Sequence, residues 1–301
     1  MDSSENIYQN FANAKGESTL HTDELLDSAR IGDTLLAHTK LKQQDIDRVL
    51  AYQVEKNILF GEAAKQLGLI NEDDLQKVLS AQFNYSYLHE DNQKLSKELI
   101  AAHRPFSEEV EDLRSLRGQL LIRWFDLGNK SLAVTSASKE EGASTLAANL
   151  AIVFSQMNKK TLLIDANLRQ ATQHGLFNID TKVGLANILA NRQGHYQLAR
   201  QQSLPNLAIL TAGTAVPNPQ ELLSQLVFSD LLKDLEKVYD VILIDTSPLN
   251  LGSDVLTVAS KVKAAIIVSR KDVTASADLL KLNQQLNMTG AKVIGSVLQG
   301  Y

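Results

Sequence analysis

Six short runs dominated by Val, Ile and Leu, at 132–135, 161–164, 207–210, 241–244, 264–268 and 292–297, are separated by stretches of helical pattern. Runs this short and this apolar are strands buried on both faces. Their alternation with helices predicts a mainly parallel sheet covered by helices on each side. Ligands of such a sheet bind beyond the carboxyl ends of its strands. The segments that carry polar chemistry fall at those ends.

The first of them follows the first run. Residues 132–150 read Leu-Ala-Val-Thr-Ser-Ala-Ser-Lys-Glu-Glu-Gly-Ala-Ser-Thr-Leu-Ala-Ala-Asn-Leu, which is a strand, a loop and a helix opening at Gly142. Backbone N–H groups at a helix start hold phosphate, and a P-loop closes on Gly-Lys-Ser/Thr so that the lysine reaches the β and γ phosphates. Here Gly142 and the magnesium-side hydroxyl of Ser144 are present, and Ala143 stands where the lysine belongs. The candidate nucleotide-binding residues are Lys139, Glu141, Gly142, Ala143, Ser144 and Thr145. Lys139 is either a displaced substitute for the lysine or a solvated loop charge, and the second reading is favoured.

Two further runs end in carboxylates, Leu162-Leu163-Ile164-Asp165 and Ile242-Leu243-Ile244-Asp245. A strand-end Asp by itself often only caps the next helix. Two of them beside a glycine loop form a set that can hold magnesium directly or through water and accept a proton from a hydroxyl nucleophile. Ser144, Asp165 and Asp245 are the candidate metal residues. The architecture expected is α/β, P-loop NTPase-like, preceded by a small all-α domain.

The chain has 301 residues, a net charge of −5 and no cysteine. The absence of a basic excess argues against nucleic acid as the main partner, and the lack of thiols fits a reducing cytosol. No apolar run approaches the length of a membrane span, and the start is polar, so a cytoplasmic location is expected. Residues 1–27 read as a flexible tail, 28–88 as a small helical repeat domain, 89–105 as a linker and 106–301 as the α/β domain. Within the repeat, Gly32 and Gln53 in one copy correspond to Gly61 and Gln82 in the next, 29 residues on. Residues 106–126 predict a helix. Glu111, Arg114 and Arg117 share one of its faces at three-residue steps, either as a solvated ion-paired face or as a subunit contact.

The segment Asp165-Ala166-Asn167-Leu168-Arg169, the strand ending Asp245-Thr246-Ser247-Pro248, the stretch Pro217-Asn218-Pro219-Gln220-Glu221-Leu222-Leu223 and the Glu-x-x-Arg-x-x-Arg helix resemble bacterial tyrosine kinases that control polysaccharide export. From Pro105 to Leu298 the chain looks closest to the EpsG, chain-length-determinant branch. The resemblance implies ATP and Mg2+ as cofactors, autophosphorylation on tyrosine in trans within a ring, and activation by a membrane-embedded polysaccharide chain-length regulator at the inner face of the plasma membrane. It assigns Asp165, Asp245 and Arg169 to catalysis, and Glu111, Arg114 and Arg117 to the homo-oligomer.

The chain departs from that pattern at three places, all in one direction. Ala143 removes a charge whose loss costs roughly a hundredfold or more in turnover. Asn167 replaces a carboxylate of the Asp-x-Asp-x-Arg motif, and Glu140 stands where relatives often carry glycine. Tyr301, the last residue, is either the phosphoacceptor or merely the chain end. The repeat resembles the MshEN kind of secretion-ATPase N-terminal domain, which binds cyclic di-GMP. That resemblance marks Arg30, Gly32, Leu35, Gln53, Gly61, Gly68 and Gln82 as ligand candidates, the alternative being a helical docking module. The function expected is a kinase-derived regulator of exopolysaccharide synthesis or export with weak or lost catalysis. An active trans-autokinase and a cyclic di-GMP-responsive scaffold are the alternatives.

Overall fold

A computed structural model describes residues 41–71, 74, 95–190 and 198–300. The chain divides into two units, Met1–Tyr85 and Ser86–Tyr301. In the first, helix α1 (Gln43–Lys56) and helix α2 (Phe60–Gln66) enclose Ile46, Val49, Phe60, Ala63, Ala64 and Ile70. The carboxylate of Asp45 folds back to accept the N–H of Lys42 at 3.0 Å, which satisfies a donor left over at the helix start. Twenty-nine residues on, Asn71 and Asp74 make the same contact reciprocally, at 3.2 and 2.7 Å. The same backbone-to-carboxylate contact thus recurs at the offset of the sequence repeat. Gln53 and Gly61 are buried, and Gly68 turns the chain with φ +67°. Arg30, Gly32, Leu35 and Gln82 lie outside the described residues, as does Tyr301.

In the second unit, α3 (Ile100–His103) and α4 (Glu108–Arg123) precede β1 (Ser131–Ser136), α5 (Ala143–Ser155), β2 (Thr161–Asp165), α6 (Gln173–Leu176) and α7 (Leu185–Leu189). Then come β3 (Ala199–Gln201), β4 (Leu204–Leu210), α8 (Pro219–Ser224), α9 (Leu226–Val238), β5 (Val241–Asp245), α10 (Asp254–Val262), β6 (Ala264–Arg270), α11 (Ser276–Met288) and β7 (Lys292–Gln299). The sheet order is β3-β4-β2-β5-β1-β6-β7. All six strands read from the sequence are present and parallel to their neighbours. The seventh, β3, runs antiparallel to β4. Its Ala-Arg-Gln sequence has no β-branched or aromatic residue, so its strand character comes from the pairing alone.

Successive residues of each strand point to opposite faces. Leu132, Val134, Leu163, Val241, Leu243 and Ile266 pack with α3, α4 and α5 on one side. On the other, Ala133, Ile164, Ile242, Ile244 and Ile267 pack with α7, α9, α10 and α11. Helix α5 is almost wholly buried, and its Ala143, Ala147, Ala148 and Ala151 allow it to lie close against the sheet.

The segment 95–103 differs from the linker expected over 89–105. Leu95, Leu99, Ala101 and Ala102 are part of the main core. Asn149 of α5 accepts the N–H of Ala101 at 2.9 Å and donates to the carbonyl of Glu98 at 2.9 Å, while Gln156 donates to the carbonyl of Ala101 at 3.1 Å. Four apolar positions around a single short helix are too few to show a period, which is why composition alone reads this stretch as a connector. An Asn149→Ala variant leaves the buried N–H of Ala101 unpaired and is expected to lose about 1–3 kcal/mol in urea unfolding. A loss well below that range would mean that the segment is held by its apolar residues alone.

Candidate functional site

The phosphate loop bends where the sequence has no glycine as well as where it does. Glu140 sits at φ +61° and Gly142 at φ +82°. A left-handed conformation costs a residue with a side chain roughly 1–2 kcal/mol. The backbone therefore keeps, at Glu140, the conformation that glycine adopts freely. At Gly142 the torsion favours glycine, and a Cβ there would also displace the side-chain amide of Gln299, whose Oε1 it would meet at 2.1 Å.

Glu141 is 1% exposed, and its carboxylate faces inward. One oxygen accepts the N–H groups of Ala137 and Ser138 at 3.0 and 3.2 Å, and the other accepts the hydroxyl of Thr274 at 2.7 Å. It is a brace that joins the loop to the turn after β6. Ala143 is buried in the same apolar cluster as Val134 and Leu146. Lys139 is exposed and makes no hydrogen bond or ion pair among the described residues. The loop and the N-terminus of α5 thus keep the shape of an anion cradle, and position 143 supplies no cation.

Beside the cradle, the register of β2 with β5 sets Asp165 directly opposite Asp245. Both are fully buried. The oxygens of Asp165 accept the N–H groups of Asn167, Thr172 and Gln173 at 3.1, 3.2 and 3.1 Å. Those of Asp245 accept the hydroxyl of Ser144 at 3.0 Å and the side-chain amide of Gln173 at 2.7 Å. Burial raises the Asp245 carboxyl to about pH 6 against the pull of those two hydrogen bonds. Burial and the neighbouring Asp245 charge push Asp165 well above the usual carboxylate range, opposed by its three N–H donors.

The donor set fits a hard divalent cation. Two facing carboxylates and a hydroxyl converge, and the buried Oε1 of Gln173 has no hydrogen-bond partner among the described residues. A cleft of about 390 Å³, lined by Ser96, Glu98, Ser144, Thr145, Thr172 and His174, opens on this side. Thr145 donates to Glu98 there at 3.1 Å. A cleft of similar size, about 440 Å³, lies by Lys130 and Ser131 at the amino end of β1, where this topology does not place ligands.

Other residues picked out by the sequence have partners of their own. Arg169 is held by Asp254 through Nε at 2.5 Å and Nη2 at 3.1 Å, and its guanidinium lies against Gly252. It ties the segment after β2 to the start of α10, a structural use that the expected catalytic role did not anticipate. Asn167 accepts the hydroxyl of Ser247 at 2.8 Å and the N–H of Gln170 at 3.1 Å, so its oxygen is engaged as a turn cap. Arg114, 14% exposed, bonds to Glu111 and to the carbonyl of Pro105. Arg117 bonds to the carbonyl of Val153 in α5. Both arginines are engaged within their own chain. Gln173, Glu98 and Asp254 were not picked out by sequence. Nothing in their local pattern separates them from ordinary loop residues, because their partners lie far along the chain.

The AAA domain family matches residues 131–293, the stretch from β1 into β7. The tyrosine-protein kinase YwqD of Bacillus subtilis is 32% identical over 207 residues, which cover 69% of this chain and 87% of that one. The kinase domain of the Escherichia coli tyrosine kinase ETK superimposes with a TM-score of 0.66 at 28% identity, covering 69% of this chain and 82% of that one. The chimerical protein CapA2B2 gives 0.64 at 29%, with 74% and 97% covered. Among the described residues no helix is long and apolar enough to cross a membrane.

The buried carboxyls give the metal-free chain a pH dependence of definite sign. The unfolded carboxyls titrate near pH ~3.9, whereas folded Asp245 titrates at about 6 and Asp165 above the usual range. The folded chain therefore holds more protons through that window, and its stability falls as pH rises from the unfolded to the folded value. In EDTA, Asp245→Asn is expected to raise Tm at pH 7.5 by ~3 °C and to leave it unchanged at about pH 3, below the unfolded value. A lower Tm at both pH values would show that hydrogen bonding, and not buried charge, dominates at this position.

Proposed function

The chain belongs to the family of bacterial tyrosine-protein kinases, and from that premise we propose that it is a regulator of exopolysaccharide synthesis or export whose nucleotide site is weakened. The observation that carries the reading is Ala143, an apolar, buried residue at the start of the phosphate helix. Asn167, neutral and engaged by Ser247, supports it. When bound, Mg·ATP supplies the transferable phosphoryl group and the cation that neutralises its developing charge. The residues that would hold it are the loop from Glu140 to Thr145, with Ser144, Asp165 and Asp245 on the magnesium. Asp165 already accepts three backbone N–H groups, and its remaining acceptor capacity is what the proposed base or magnesium role would use.

The partner proposed is a membrane-embedded chain-length regulator that recruits the chain to the inner face of the plasma membrane. Assembly is as a homo-oligomeric ring of the EpsG type, with Tyr301 as acceptor in a neighbour's site. The organisation that accompanies this is a tail to residue 27, a repeat domain over 28–88 and a kinase-like domain to residue 301. The exposed carboxylate of Glu111 supports a contact between subunits on the α4 face. A second reading concerns the first unit, as an MshEN-like sensor of cyclic di-GMP through Arg30, Gly32, Leu35, Gln53, Gly61, Gly68 and Gln82. It is supported by the recurrence of the backbone-to-carboxylate contact 29 residues on and by the tight Gly68 turn, which lets backbone approach a ligand.

Calorimetric titration of Mg·ATP into the natural chain and into Ala143→Lys tests the main reading. A restored charge-assisted contact of about 1.5–3 kcal/mol predicts roughly ten- to hundredfold tighter binding by the variant. Micromolar binding by the natural chain would overturn the weakened site and restore the active autokinase.

A further inference from the structure

Gln173 touches every part of the site. Its amide Nε2 donates to the carbonyl of Ser144 at 3.0 Å and to Asp245 at 2.7 Å, and its own N–H donates to Asp165 at 3.1 Å. One side chain thereby links the first turn of α5 to β5, and its backbone links both to β2. Both partners of Nε2 are acceptors only, which fixes the orientation of the amide. Its Oε1 is left buried, with no hydrogen-bond partner among the described residues. Buried amide oxygens in folded chains are paired with donors as a rule. Beside two carboxylates, the group that suits it is a donor carried by a cation.

We propose that Gln173 belongs to the magnesium site, its Oε1 accepting a hydrogen bond from a water molecule of the metal while its amide group holds Asp245 in place. The inference rests on the nucleotide-and-metal reading above and deepens it. Magnesium binds through one or two carboxylates and keeps several of its waters, so acceptors placed for those waters set its affinity. Asn167 contributes no charge, and its oxygen is already taken by Ser247 and Gln170. Gln173 provides the acceptor that Asn167 does not.

The test is Mn2+ binding, followed by electron paramagnetic resonance, to the ADP-loaded full chain carrying Ala143→Lys. Gln173→Met keeps the length and removes both polar atoms. Gln173→Glu keeps acceptor oxygens and removes the donors. The Met variant is expected to weaken Mn2+ about tenfold, the Glu variant to stay within about threefold of the parent, and ADP affinity in EDTA to be the same in all three. Magnesium is expected to raise the Tm of the Glu variant more than that of the parent, because it relieves a third buried carboxylate.

Unchanged Mn2+ affinity in the Met variant overturns the proposal. So does an equal loss in both variants, since that makes the amide donors, and not Oε1, the active element. If the Met variant does not fold, the Glu variant decides alone: about tenfold weaker Mn2+ binding overturns the proposal, and retained binding supports it. Failure of the Ala143→Lys chain to bind ADP at all sinks the nucleotide reading itself. ADP binding with an unchanged metal response in the variants sinks only the role of Gln173.

Discussion

Two carboxylates are held side by side in the interior, and the rest of the site is arranged around the cost of keeping them there. Parallel pairing of β2 with β5 puts Asp165 opposite Asp245 at the last residue of each strand. Two buried like charges repel, and each requires donors on every side. The turn after β2 therefore curls back to give Asp165 three backbone N–H groups. Helix α5 gives Asp245 the Ser144 hydroxyl, and Gln173 closes the arrangement.

The loop before α5 holds its shape with an uncharged residue at position 143. The loop has left-handed bends at Glu140 and Gly142 and an inward brace at Glu141. These features depend on backbone torsion and on contacts with the β6 turn, and not on a charge at position 143. A cradle can be preserved by packing while its affinity for phosphate is set by one side chain.

The three arginines selected by sequence teach a different lesson. Spacing placed Arg114 and Arg117 on one helix face, and the resemblance placed Arg169 near the phosphates. In the fold each guanidinium has a fixed partner within the chain: Glu111 and Pro105, Val153, and Asp254. A guanidinium presents several rigid donors, so a nearby carbonyl or carboxylate captures it readily. Such partners lie nine to 85 residues away for the contacts to Pro105, Val153 and Asp254, where no local pattern registers them.

The location of six strands along the chain, the glycine loop, the strand-end carboxylates and the family were legible because each is written in a short contiguous run. Apolar period, glycine torsion and carboxyl-end placement are local or topological rules. The antiparallel β3, the core role of residues 95–103, the brace at Glu141 and the position of Gln173 were not legible. Each depends on which side chain or strand comes to lie opposite it after folding, and that pairing joins segments far apart in the chain. The sequence determined what chemistry this chain can bring to the carboxyl edge of its sheet. Tertiary structure alone decided which groups are buried there, which are already paired, and which one is left with an acceptor to offer.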